Sequence, residues 1–272
     1  MRTISVEKLT RDYGEKKGVF DVSFSVEEGE AFGFLGPNGA GKTTVIRHLM
    51  GFIRPQAGKC TVNQLDCWTS RDQVQKVIGY VPGEISFFED MSGTEFLRFI
   101  EKYRGIGSNN RQQELLERFE LDPKTKIRKM SKGTKQKLAI TAAFMHDPQV
   151  LILDEPTSGL DPLMQSRFVE LVQQEKERGK TIFLSSHMFE EVERTCDRIG
   201  MIRRGELVAV DTVEALRTRH LRSYTVSLET EEAASAFAKD FDGRQQGRSV
   251  TVSARLSLED IFMHYYGGEQ HD

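Results

Sequence analysis

Apolar and polar residues alternate in two segments near the start of the chain, residues 4–9 and 22–26. Alternation of this kind is typical of strands that bury one face and expose the other. A turn bounded by glycines, residues 14–18, separates the two segments. We therefore predict that the chain begins with a pair of half-buried antiparallel strands.

Longer apolar runs further along the chain predict strands that are buried on both faces. These strands are residues 31–35, 150–153 and 181–185, followed by a strand pair at 199–203 and 206–210. Apolar residues at helical spacing predict helices at residues 42–50, 167–178 and 188–196. Buried strands that alternate with helices indicate an α/β core with central parallel strands.

Two stretches depart from this alternation. Residues 85–147 show helical spacing with little strand signal, and the predicted helices are 94–103, 111–119 and 135–145. Beyond about residue 218, we predict strands at 223–228 and 249–254 and helices at 231–241 and 258–266. We therefore expect a mostly helical subdomain inserted into the α/β core, and a small C-terminal α+β appendage.

The composition is that of a globular protein and gives no sign of a polyanion-binding surface. Of the 272 residues 38% are apolar and 29% charged, and the formal net charge is −3. The basic cluster at residues 217–222 is interpreted as a solvated face. We expect no nucleic-acid partner.

Targeting and redox signals point to the cytoplasm. No apolar stretch approaches the roughly 18–20 residues that span a bilayer, and the first residues lack the apolar segment of a signal peptide. Cys60, Cys67 and Cys196 have no metal-like spacing and are interpreted as ordinary thiols of a reducing compartment. We expect no direct bilayer insertion, so any membrane contact must come through a partner.

A glycine-rich turn between a predicted strand and a predicted helix matches the phosphate-loop pattern G-x-x-x-x-G-K-[ST] in full. Its glycines let backbone N–H groups point at phosphate oxygens. The ammonium of Lys42 is expected between the β- and γ-phosphates, and the hydroxyl of Thr43 on Mg²⁺. The candidate ATP-binding residues are Gly36, Pro37, Asn38, Gly39, Ala40, Gly41, Lys42, Thr43 and Thr44.

Two carboxylates follow the buried strand at residues 150–153. The carboxyl ends of strands in an α/β sheet are where ligands bind. Asp154 is therefore a candidate Mg²⁺ ligand, and Glu155 a candidate base that polarises the attacking water. Without the phosphate loop upstream, the same pair would be interpreted as ordinary acids at a strand end.

Further motifs resemble those of the ATP-binding subunits of ABC transporters. The segment 130–136, Met-Ser-Lys-Gly-Thr-Lys-Gln, resembles the signature of that family, and residues 158–161, Ser-Gly-Leu-Asp, resemble its D-loop. His187 stands where the family has its switch histidine, and Tyr13 where it has an aromatic residue that stacks on adenine. The resemblance covers about residues 4–215 and keeps the family's order of motifs.

The resemblance implies a P-loop NTPase of ABC type that works as a head-to-tail dimer with a second copy of itself or a paralogous ATPase subunit. Ser131 and Gly133 would contact the γ-phosphate of the ATP held by the opposite subunit, and His187 would position that phosphate and the water. Three of the carried-over roles have a plainer interpretation. Ser131 would be a helix cap, His187 an ordinary strand-end residue, and Tyr13 a residue that only packs.

This chain departs from the family in two motifs. Lys132 replaces the usual second residue of the signature, glycine, and its charge is expected either to attract the γ-phosphate or to point to solvent. The family's Q-loop glutamine is replaced by Gly83, with Glu84 beside it. Our hypothesis is that Glu84 supplies the missing oxygen ligand to Mg²⁺ by a shift of one residue.

We predict an ABC ATP-binding domain at residues 1–218 and an accessory domain at 219–272. The resemblance implies an ATPase on the inner face of the cell membrane that energises transport, most simply export, through a separate integral membrane permease. The segment 85–91, with Phe87 and Phe88, would dock that permease unless both rings are local core. The alternative functions are a soluble protein acting on ribosomes or DNA, and a regulatory module without turnover.

Overall fold

Strands and helices alternate through most of the chain. The computed structural model describes residues 1–106, 110–219, 221–255 and 257–267. Its strands are β1 (Arg2–Asp12), β2 (Gly18–Glu27), β3 (Ala31–Leu35), β4 (Ala57–Val62), β5 (Leu65–Asp66), β6 (Ile78–Val81), β7 (Val150–Asp154), β8 (Thr181–Ser186), β9 (Arg198–Arg203), β10 (Glu206–Thr212), β11 (Leu221–Ser227), β12 (Arg244–Gln246) and β13 (Ser249–Arg255). Its α-helices are α1 (Lys42–Leu49), α2 (Arg71–Val77), α3 (Gly93–Arg104), α4 (Arg111–Arg118), α5 (Lys132–Phe144), α6 (Pro162–Glu177), α7 (Phe189–Thr195), α8 (Val213–Arg219), α9 (Glu231–Asp240) and α10 (Leu258–Gly267).

The chain divides into two compact units, Met1–Val210 and Asp211–Asp272. Our sequence-based boundary after residue 218 stays a prediction. No helix in the described part of the chain is long and apolar enough to cross a membrane.

The first two strands belong to an antiparallel sheet whose strand order is β2-β1-β4-β5. β1 and β2 pair antiparallel, for example at Val6 and Phe24, and their buried residues are the apolar ones that the alternation marked. The predicted antiparallel pair is therefore confirmed. Its apolar face is part of the main hydrophobic core.

The central sheet has the strand order β10-β9-β3-β8-β7-β6. The pairs β3–β9, β3–β8, β8–β7 and β7–β6 are all parallel. Every residue of β3, β7 and β8 is buried, as the continuous apolar runs predicted. Because these strands run parallel, the residues that follow β3, β7 and β8 emerge at one edge of the sheet.

A group of phenylalanine rings joins the two sheets. Phe24 of β2 stacks on Phe32 of β3 and Phe183 of β8, with ring centroids 5.2 and 5.6 Å apart. Phe34, which also lies on β3, packs on the rings of Phe24 and Phe183. Aromatic rings bury large areas and prefer such offset arrangements, so this cluster fixes the antiparallel sheet beneath the strands that carry the phosphate loop.

Residues 85–147 are mostly helical, as predicted. α3 begins with a capping box, in which Ser92 accepts from the Glu95 N–H and the Glu95 carboxylate accepts from the Ser92 N–H. α5 starts at Lys132, earlier than the predicted residue 135, because Ser131 caps it by accepting from the Thr134 N–H at 3.1 Å.

Charged side chains hold α4 against α6 of the core. Arg111 forms an ion pair with the buried carboxylate of Glu175. Arg167 pairs with Glu120 at 2.7 Å, and its guanidinium also donates to the Arg118 carbonyl at 2.6 Å. The helical subdomain is therefore fastened to the core at this point by polar contacts.

The apolar pattern predicts no element between residues 51 and 84, where the structure has β4, β5, α2 and β6. These elements span two to seven residues. β4 begins with three exposed residues, and β6 contains a glycine, so neither has a clear apolar period. Short elements of this kind depend on their neighbours in the sheet for stability.

The smaller unit contains an antiparallel sheet in the order β11-β13-β12 and the helices α8, α9 and α10. Val250 of β13 and Ala234 of α9 are buried in it. The α+β appendage is confirmed, and the short elements α8 and β12 were not predicted.

Candidate active site

The phosphate loop joins β3 to α1. Gly41 directly precedes α1 with φ +111°, and a Cβ at this position would lie 2.8 Å from the Val19 side chain and 3.2 Å from the Gly18 carbonyl. Only glycine fits there. α1 has no side-chain N-cap and no acidic residue in its first turn. Its first N–H groups and its positive dipole end are therefore directed at an anion.

Lys42 is buried, and its ammonium points back into the loop. Nζ donates to the carbonyls of Gly36 at 2.7 Å and Pro37 at 3.2 Å, and lies 3.3 Å from a carboxylate oxygen of Glu155. A buried ammonium held in this way supplies the positive charge that a phosphate chain requires.

Asp154 lies at the end of β7, between the phosphate loop and β8. Thr43 Oγ1 donates to one of its oxygens at 3.0 Å, and Ser185 donates to the other. Burial raises the pKa of Asp154, while these two hydrogen bonds act in the opposite direction. A hydroxyl and a carboxylate in contact are oxygen donors of the kind that Mg²⁺ prefers.

Glu155 directly follows β7 and has φ +47°, a left-handed conformation that is uncommon for a residue with a side chain. Its carboxylate lies between Lys42 Nζ, at 3.3 Å, and His187 Nδ1, at 3.5 Å. Backbone strain of this type persists where the surroundings hold it in place. The turn thus aims the carboxylate across the phosphate loop.

Glu191 of α7 was not predicted, although it connects the two turns that carry Glu155 and His187. One of its oxygens accepts from Ser186, which precedes His187, at 2.6 Å and from Thr157 at 3.4 Å. Its other oxygen is buried and has no hydrogen-bond partner within the described part of the chain. Burial raises the pKa of Glu191 to about 7. No sequence pattern marks such a residue, because its role depends on contacts across the fold.

In the Q-loop turn, Gly83 and Glu84 lie in different surroundings. Gly83 lies against Asp154, since a Cβ at this position would be 3.1 Å from a carboxylate oxygen. Glu84 is exposed and lines, with Lys132 and Lys135, a cavity of about 410 Å³ next to α5. Among the described residues, Glu84 has no hydrogen bond to Thr43 or Asp154.

The remaining predicted residues lie outside this cluster. Ser131 caps α5, the plainer interpretation given above, and Gly133 lies against the Gly159 carbonyl. Tyr13 is half exposed, with the Arg11 guanidinium 5.3 Å from its ring centre. In the part of the chain that the structure describes, no hydrogen bond joins Ser131 or Gly133 to the phosphate loop.

The structure thus brings together Lys42, Thr43, Asp154, Glu155 and His187 at one edge of the central sheet. A glycine-rich loop that opens a helix, a hydroxyl in contact with a carboxylate, and a second carboxylate paired with a histidine are an arrangement typical of a P-loop nucleotide hydrolase. The fold and the site define this class of protein.

Comparison with known proteins narrows the class. Residues 19–158 match the model of a family described as ABC transporter. The linearmycin resistance ATP-binding protein LnrL of Bacillus subtilis is 39% identical over 221 residues, which cover 79% of this chain and 71% of the relative. The chain therefore belongs to the ABC transporter family.

Solved structures agree with this assignment. The ATP-binding subunit of an ABC transporter superposes with a TM-score of 0.73 at 30% identity, and the match covers 80% of this chain and 92% of that one. The dimeric structure of MJ0796, a bacterial ABC transporter cassette, shares the fold with a TM-score of 0.70 at 23% identity, covering 77% and 98%. The chain is an ATP-binding subunit that hydrolyses ATP to energise transport.

The pKa of Glu191 predicts a specific pH dependence of stability. Its folded pKa of about 7 lies above the unfolded value of about 4.3. The protonated form is therefore stabilised on folding, and this stability is lost as the pH rises through about 7. Between pH 5 and pH 8 the wild type should therefore lose about 3 kcal/mol of unfolding free energy relative to Glu191→Gln, which lacks this titrating group.

Urea unfolding at pH 5 and pH 8 measures this difference. The control is Glu190→Gln, the same change at the exposed neighbouring position. It should leave the pH dependence of the wild type unchanged. An identical pH dependence in Glu191→Gln and the wild type would contradict the raised pKa.

Proposed function

We propose that this chain is the ATPase subunit of an exporter, acting as one half of a head-to-tail dimer beneath a separate membrane permease. The observation that carries the proposal is the contact of Glu155 with both Lys42 and His187 at the phosphate loop. Among the described residues, Ser131 and Gly133 of the signature make no hydrogen bond to the phosphate loop, which supports a role toward a second subunit.

ATP and Mg²⁺ fit the residues present. Residues 36–44 would hold the phosphates, because the uncapped start of α1 and the buried Lys42 both favour an anion. Thr43 and Asp154 would hold Mg²⁺. When bound, the metal neutralises charge on the phosphates. The predicted stacking of Tyr13 on adenine uses a ring that is half exposed.

Glu155 would then act as the base toward the attacking water, with His187 holding the γ-phosphate and that water. Both side chains reach one point above the phosphate loop, where the carboxylate and the imidazole already touch. General base catalysis typically contributes about 10²–10⁴ in rate. Loss of this carboxylate alone should therefore leave ATP binding intact.

Glu155→Gln is predicted to lower kcat for ATP by at least about 100-fold, with nearly unchanged binding of ATP. Steady-state phosphate release and fluorescence titration with an ATP analogue measure the two quantities. Glu190→Gln, an exposed neighbour of His187, is the matched control and should keep full activity. Undiminished hydrolysis in Glu155→Gln would contradict the assigned role.

The second subunit completes the site in this proposal. Ser131 and Gly133 begin α5 at a helix N-terminus, which suits contact with a γ-phosphate. The related cassette MJ0796 has a dimeric structure. The partner is a second copy of this chain or a paralogous subunit, and Glu155→Gln should accumulate an ATP-dependent dimer in size-exclusion chromatography.

The Mg²⁺ ligands can be tested one at a time. Thr43→Val should raise the Mg²⁺ concentration for half-maximal activity by about tenfold, while Thr43→Ser, which keeps the hydroxyl, should not. Glu84 is proposed as a further ligand, which requires its turn to move from the position described above. Glu84→Ala should then raise the Mg²⁺ requirement as well, and an unchanged requirement would remove Glu84 from the metal site.

A groove beside α3 is the proposed docking site for the permease. Its cavity of about 270 Å³ has an apolar wall, formed by Phe52, Tyr80, Ile85, Phe87, Phe96, Ile100, Tyr103, Ala139, Ala142 and Ala143. Phe87 is half-buried against Phe96, whereas Phe88 is 58% exposed and touches the exposed ring of Phe99. The two rings therefore differ: Phe87 is partly core, and Phe88 is available to a partner.

Phe88→Ser should uncouple transport while leaving basal ATPase activity and folding unchanged. Transport by the chain reconstituted in vesicles with its permease would fall several-fold, since exposed aromatic anchors dominate interfaces. Phe241→Ser is the control, because Phe241 is equally exposed but lies in the smaller unit. Equal transport by both variants would exclude Phe88 from the docking site.

The names of relatives support a proposal for cargo and direction. The relative LnrL is named a linearmycin resistance ATP-binding protein. We propose export of a hydrophobic compound, antimicrobial peptide or polysaccharide, with the chain peripheral on the inner face of the membrane. The gene adjacent to this one should encode the permease.

A further inference from the structure

The first turn of α5 packs against the chain segment that follows Glu155. Gln136 is buried, and its side-chain N–H donates to the Pro156 carbonyl at 2.7 Å. Gly133 lies so close to the Gly159 carbonyl that a Cβ would be 2.6 Å from it. Residues 133 and 136 lie on neighbouring positions of one helix face. The start of α5 and the turn at 156–159 therefore form one packed contact.

Lys132 extends this contact at the surface. Its Nζ donates to Ser158 Oγ at 2.9 Å. Its stem crosses Gly159, because a Cβ on that glycine would lie 3.1 to 3.3 Å from three of the lysine methylene carbons. Gly159 has φ +83°, which suits glycine. Lys132 is exposed, as the solvent interpretation expects, and its ammonium is directed at the D-loop of its own chain.

The two partners of this hydrogen bond belong to different parts of the larger unit. Lys132 begins a helix of the helical subdomain, whereas Ser158 follows β7 of the central sheet. A glycine at position 132, the usual residue of the signature, has no side chain to make the bond. The contact is therefore a consequence of the residue by which this chain departs from its family.

We propose that Lys132 is a positioning residue that holds the D-loop, residues 158–161, on the signature helix. The two segments then form one surface that faces the partner subunit. A hydrogen bond from a charged donor is stronger than a neutral one and becomes stronger still when water is excluded. The effect of this contact on turnover rests on the proposed dimer. The hydrogen bond between Lys132 and Ser158 does not depend on that proposal.

Hydrogen exchange in the nucleotide-free chain tests the contact without any need for activity. Lys132→Met keeps the length of the stem and removes the ammonium, and Ser158→Ala removes the acceptor. Each should speed amide exchange of the peptide covering residues 156–161 by about fivefold, the ratio expected for one ordinary hydrogen bond. The double variant should exchange no faster than either single variant.

The matched control is Lys135→Met, which removes the same charge from the same helical turn. Lys135 pairs with Glu89 at 3.4 Å instead of with the D-loop. It should leave exchange of residues 156–161 unchanged. Unchanged exchange in Lys132→Met, or effects of the two single changes that multiply in the double variant, would overturn the inference.

Steady-state kinetics separate positioning from direct attraction of phosphate. If Lys132 acts through Ser158, kcat falls by a similar factor in both single variants and in the double variant, with little change in KM for ATP, and Lys132→Arg restores kcat. If the charge of Lys132 acts on the partner's phosphate, the effect of Lys132→Met persists in the Ser158→Ala background and weakens with salt. That second result would overturn positioning and leave the proposed function standing.

Discussion

The alignment of β3, β7 and β8 determines where every reacting group of this protein lies. Asp154 of β7 stands in register with Ser185 of β8, and β3 continues directly into the phosphate loop. Thr43 completes the connection from the loop side. A slip of one residue in any of these strands would turn its side chains to the opposite face, so the geometry of the site depends on the register of these strands.

The two turns that carry Glu155 and His187 determine where the charged side chains of the site lie. The left-handed backbone at Glu155 and the hydrogen bonds of Glu191 to Ser186 and Thr157 hold the carboxylate and the imidazole of His187 side by side. Glu191 is remote from solvent, which favours its protonated form and spares the site a second negative charge next to Glu155. The site thus combines the side chain of Glu155, in contact with Lys42, and the carboxyl group of Glu191, whose pKa is raised by burial.

Much of this could be predicted from the sequence. The phosphate loop has a fixed spacing because glycine conformations and the helix start impose it, and the long buried strands have continuous apolar runs. What could not be predicted depends on contacts between distant segments. Nothing near Lys132 indicates that Gly159 leaves space for its stem, and nothing near Glu84 indicates that Gly83, one residue before it, lies against Asp154. The short strands β4 and β6 were not predicted for the same reason, because their stability depends on neighbouring strands of the sheet.

The contacts between α4 and α6 have a consequence for how the helical subdomain responds to its surroundings. Two ion pairs form this junction: Arg111 with Glu175, and Arg167 with Glu120. Attraction between partly exposed charges is screened over roughly 8 Å at physiological ionic strength, whereas apolar packing is insensitive to salt of this concentration. Salt should therefore weaken the outer pair of Arg167 with Glu120 more than the pair of Arg111 with the buried Glu175, so the two halves of this junction differ in their response to the ionic composition of the medium.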